Sequence, residues 1–163
     1  MREITVDQSI VDLMALKYDY HNLKVMIKEK ELNKDLSELY SPIEAVDFLK
    51  LKEAFLEGNY KDMEPEYREA IQEVERDFEA TKDPQRIDLI FDRYYYLHLY
   101  KMANQVGIEL FIDYVRDIID FINIRSSIRL KKQGKDIGFF EDVILPHGNI
   151  DREDILFTLK DST

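Results

Sequence analysis

Cysteine and tryptophan are absent from the 163 residues. Without cysteine there is no disulfide, no thiolate zinc site and no cysteine nucleophile. The absence is compatible with a reducing compartment. Glycine and proline are scarce, at five and four residues, too few for a β-sandwich full of tight turns. Gly107, Gly134 and Gly148 stand alone, so no glycine-rich loop can cradle a phosphate. Histidine occurs three times, as His21, His98 and His147. None sits in an H-E-x-x-H pattern, and no Glu-x-x-His pair suggests a di-iron bundle. Asp92 and Tyr95 at that spacing do not substitute. No apolar run approaches the roughly 20 residues that span a bilayer. Met1-Arg2-Glu3-Ile4-Thr5 does not read as a signal peptide, because no apolar stretch follows it.

Positive charge is also in deficit, with a formal net charge of −11. A nucleic-acid surface needs clustered Lys and Arg, and broad adhesion to anionic lipid needs the same. Both are disfavoured. One local basic stretch stands out, Arg125-Ser126-Ser127-Ile128-Arg129-Leu130-Lys131-Lys132, with Lys135 beyond it. Its cations suit the negative end of a helix dipole. The sharper reading makes Arg125, Arg129, Lys131 and Lys132 a docking patch for an acidic partner.

What is present favours helices. Hydrophobic residues make up 45% of the chain, enough for a core. Asp7 is the expected N-cap of a helix to about Lys30, with an apolar stripe of Ile10, Met14, Leu16, Tyr20, Leu23 and Ile27. Asn33 is its stop. Ser41-Pro42-Ile43-Glu44 combines a capping box with proline at the first helical position, and that helix ends at Gly58-Asn59. Pro65 opens a helix to about Thr81. Asp83-Pro84 opens another, with Ile87, Ile90, Phe91, Tyr94 and Leu97 at helical spacing, closed by Gly107. A long helix from Ile108 to Lys132 follows, closed by Gly134. Residues 136–145, a turn at Pro146-His147-Gly148-Asn149 and a segment from Asp151 complete the chain. Asp142–Leu145 is the best strand candidate and is too short for a sheet. The pattern predicts an all-α fold of five or six helices.

The chain also resembles itself at a spacing of about a hundred residues. Asp19-Tyr20-His21-Asn22-Leu23-Lys24 aligns with Asp120-Phe121-Ile122-Asn123-Ile124-Arg125. Ile27 meets Ile128, Lys28 meets Arg129 and Lys30 meets Lys131. Asn33-Lys34-Asp35-Leu36 meets Gly134-Lys135-Asp136-Ile137. After a small insertion, Pro42 meets Pro146, Val46 meets Ile150 and Asp47 meets Asp151. Two unrelated amphipathic helices would share an apolar stripe, but not Asp, Asn and the helix stop as well. The repeated polar residues are Asp19, Asn22 and Lys24, with Asp120, Asn123 and Arg125 in the second copy. Mid-helix Asp and Asn cost helix propensity, so the expectation is that they hydrogen-bond across helices. The repeat gives a phase: residues 42–145 form one complete unit, residues 1–41 the second half of a preceding one, and residues 146–163 the start of a following one. The chain therefore reads as a piece of a longer protein.

Tyr18-Asp19-Tyr20-His21-Asn22-Leu23-Lys24-Val25-Met26-Ile27-Lys28 resembles a D-[YF]-H-N-L-K-V-L-x-K segment of the C subunit of V-type and archaeal-type ATPases and ATP synthases, known as the d subunit in eukaryotes. Ile87–Tyr95 and the stretch Tyr114-Val115-Arg116-Asp117-Ile118-Ile119-Asp120-Phe121-Ile122-Asn123-Ile124-Arg125 are similar to that family too. The resemblance implies a central part of an all-helical protein with three similar domains about a pseudo-threefold axis, shaped as a funnel. It implies a non-catalytic central-stalk (rotor) subunit. Such a rotor part joins the D–F shaft to the membrane rotor ring and transmits torque for ATP-coupled H⁺ or Na⁺ transport. The implied location is cytoplasmic, peripheral to the membrane through the ring. The family brings no cofactor and no small-molecule substrate, and no catalytic or metal residue is assigned.

Two alternatives remain open at the level of sequence: an unrelated helical-repeat scaffold or protein-binding module, and a helical-bundle enzyme with a carboxylate metal site. For the second, no carboxylate pair is marked by spacing or by an apolar pocket. Tyr94-Tyr95-Tyr96 with Tyr100 reads as core packing and a Tyr-rich interface rather than a ligand cage.

Overall fold

The computed structural model describes residues 6–42, 48–134 and 137–161. Among these residues the fold is all-α, with seven α-helices, one 3-10 turn and no strand. The helices are α1 (Val6–Leu32), α2 (Phe48–Glu57), α3 (Pro65–Thr81), α4 (Pro84–Val106), α5 (Glu109–Lys132), α6 (Ile137–Val143) and α7 (Arg152–Asp161). A 3-10 turn, Ser37–Leu39, precedes α2. The count exceeds the expected five or six because both short segments that flank the Pro146–Asn149 turn are helical. Pro146 cannot continue α6, and Asp151 starts afresh by accepting the Glu153 N–H at 3.0 Å.

The other helix signals act as anticipated, with two corrections. Pro65 stands at the first position of α3, and the Asp83 carboxylate accepts the Gln85 N–H at 3.0 Å to cap α4. Asn33 adopts a left-handed φ of 50° after α1. Gly107 takes φ of 75° between α4 and α5, and its N–H returns to the Ala103 carbonyl at 3.1 Å. Asp7 is no N-cap, because it falls inside α1. Met14 does not belong to the buried stripe: it is exposed, and the neighbouring Leu13 is buried instead. The capping box Ser41–Glu44 runs into residues 43–47, and Lys135-Asp136 of the repeat alignment also lie outside the described residues.

Two compact units divide the chain, residues 1–95 and 96–163. In the first, α1 buries Leu16, Tyr20, Leu23, Met26 and Ile27. Helix α3 contributes Tyr67, Ala70, Ile71, Val74 and Phe78, helix α2 adds Leu51 and Phe55, and α4 adds Ile87, Ile90 and Phe91. Each set repeats at three or four residues, as a helix with one buried face requires. Tyr20 is the centre of an aromatic cluster, 5.2 Å from the Tyr67 ring and 5.8 Å from Tyr95. In the second unit, Val115, Ile119 and Leu130 of α5 join Val143, Ile144, Leu145 and Leu156. Arg152 ties this unit together by donating to the Ile144 carbonyl at 3.0 Å and to the Glu141 carbonyl, acceptors at the end of α6 that the helix itself cannot satisfy.

Candidate partner-binding faces

Asn22 is buried in the middle of α1. Its Nδ2 donates to the Ser41 carbonyl at 3.1 Å, and its Oδ1 accepts the Ser41 N–H at 2.7 Å. Asn123 is buried in the middle of α5. Its Nδ2 donates to the Leu145 carbonyl at 2.9 Å, and its Oδ1 accepts the Leu145 N–H at 2.8 Å. The same two bonds occur in both places, and each clasped residue stands directly before a proline, Pro42 or Pro146. Proline drives the residue before it out of helical geometry. Such a residue carries a donor and an acceptor with no helical partner, and a primary amide supplies both at once.

The aspartates three residues earlier serve a related end by different contacts. Asp19 is buried and accepts the Tyr67 hydroxyl at 3.1 Å. Burial first, and then the Asp19 carboxylate, push the Tyr67 phenol far above the ordinary tyrosine range. Asp120 accepts the backbone N–H of Asn149 at 3.1 Å and of Ile150 at 3.0 Å, and the Asn149 side-chain amide at 2.9 Å. That amide also donates to Asp117 at 2.8 Å. The turn after Pro146 is thereby pinned to α5. Within it, His147 has a left-handed φ of 75°, and its ring stacks on Tyr100 with centroids 4.3 Å apart. A side chain on Gly148 would run into the Asp120 carboxylate.

The cations matched by the repeat have unlike surroundings. Lys24 lies 2.9 Å from Asp92 and 3.6 Å from Asp88, and Lys28 lies 2.8 Å from Asp88. Lys30 donates to Glu75 at 2.5 Å, and this bond raises its pKa. Arg125 instead lies exposed, 5.9 Å from the centroid of the Phe121 ring. Arg129, Lys131 and Lys132 are exposed in the last turn of α5, where they oppose the helix dipole. Arg125, Arg129 and Lys132 form no ion pair with a described residue.

Further polar ties stiffen the first unit. Arg86 grips Asp77 with both Nε and Nη2, the shorter bond at 2.8 Å. Glu73 accepts from Arg93 and, at 2.5 Å, from the Tyr94 hydroxyl. The Tyr94 phenol is pushed up to about 12 by burial and by Glu73. Sequence inspection names Asp19, Asn22, Asp120 and Asn123 but not their partners. Nothing in the pattern marks Tyr67 as a partner of Asp19. A proline after each of Ser41 and Leu145 is the one signal that points to the clasped residues.

These features define an all-α protein whose helices are locked by recurrent polar clasps and crossed by ion pairs. The chain belongs to the ATP synthase (C/AC39) subunit family, whose model matches residues 1–161. Among curated proteins it is similar to the C subunit of the V-type sodium ATPase of Enterococcus hirae, with 26% identity over 156 residues, which is 96% of this chain and 48% of the relative. The chain thus spans about half the length of that relative. No solved structure matches it.

Proposed function

We propose that this chain is a non-catalytic central-stalk part of a V-type ATPase or ATP synthase. It stands between a D–F shaft and a membrane rotor ring, and it transmits torque during ATP-coupled transport of H⁺ or Na⁺. The observation that carries the reading is the family match, which extends over residues 1–161. The helical architecture supports it. A torque coupler needs elements that resist bending, and a helix transmits load along a continuous hydrogen-bonded rod. The ties from α1 to α3 and α4, through Lys30–Glu75, Lys24–Asp92 and Lys28–Asp88, oppose sliding of one helix past another. No described helix is long and apolar enough to cross a membrane, in keeping with a place beside the ring rather than within the bilayer. In this reading the chain lies on the cytoplasmic side, and residues 42–145 form one whole repeat between two partial ones.

The test is capture by partners. Tagged 163-residue protein is mixed separately with a purified D–F heterodimer and with detergent-solubilised rotor ring. The expected result is retention of at least one. Binding of neither overturns the rotor reading.

A further inference from the structure

We draw no further inference here: the strongest candidate, the apolar groove between α5 and α7 lined by Ile124, Ile128, Ile150, Ile155 and Leu159, carries nothing, because nothing in the structure shows what covers it in a chain that spans about half the length of its relative.

Discussion

Asn123 makes two bonds where most helix side chains make none. Replacing it with Ala leaves the Leu145 N–H and C=O buried without partners, at a cost of about 2–4 kcal/mol for the pair. Asn123→Asp fares no better, because a carboxylate has no N–H for the carbonyl and brings charge into the core. Urea melts of the two variants check this, and Asn22→Ala gives a similar loss through Ser41. Asp120→Ala frees two backbone N–H groups at Asn149 and Ile150, for a loss of about 1–3 kcal/mol. An unchanged melt would mean that the turn holds itself without the carboxylate. The polar residues are legible in the sequence because mid-helix Asp and Asn recur at the same spacing. Their purpose is not. A hydrogen-bond acceptor has no periodicity, so Tyr67 reads as one more aromatic on an apolar stripe until α3 is laid against α1.

Among the elements, α1 shows where pattern reading stops. Leu13 and Met14 are neighbours about 100° apart on the helix, and each fits a stripe that passes through Tyr20. The packing partner decides between them, and it buries Leu13 while leaving Met14 outside. Leu23→Ala is therefore expected to cost about 2–5 kcal/mol, as truncation of a fully buried leucine does. Met14→Gln should stay within about 0.5 kcal/mol, as exposed positions do. Parallel thermal melts compare them. Helix ends are more legible than helix faces. Pro65, Asp83, Asn33 and Gly107 act through local backbone geometry, which needs no partner. Asp7 fails as a cap because its backbone already lies within α1, and sequence alone does not distinguish an acidic cap from an acidic first-turn residue. The two segments after Gly134 are separated in the sequence by the turn at Pro146–Asn149, but each carries too few residues to show a helical period.

For the molecule as a whole, buried phenols set an alkaline limit. Burial is the first cause of the raised pKa of Tyr20 and of Tyr67, with nearby carboxylates adding to it. Both stay neutral in the fold at a pH where an unfolded chain ionises them. The stability they contribute is complete below the unfolded pKa of about 10 and is lost as pH rises above it. Unfolding free energy should be flat from pH 7 to 9. Above pH 10 it should fall by about 1.4 kcal/mol per pH unit for each such phenol. Urea titrations across that range measure the slope, and a flat profile to pH 11.5 would contradict the burial of these rings. The family resemblance is readable because the Asp–Asn segment is distinctive in itself. The exposure of Ile124 and Ile128 on α5 is not, since both look like core residues at helical spacing in the sequence.

The paired amide clasp also bears on how such a chain tolerates change in length. An asparagine that gives and takes a bond with one residue imitates a single rung of a strand pair, and it fixes one point of the returning segment rather than its path. The two copies show the outcome: 19 residues separate Asn22 from Ser41, and 22 separate Asn123 from Leu145, yet the rung is the same. Insertions between the rung's two ends are absorbed as slack, while the residue before the proline returns to its place. Such a connection can lengthen over evolution without releasing the residue that stands before the proline.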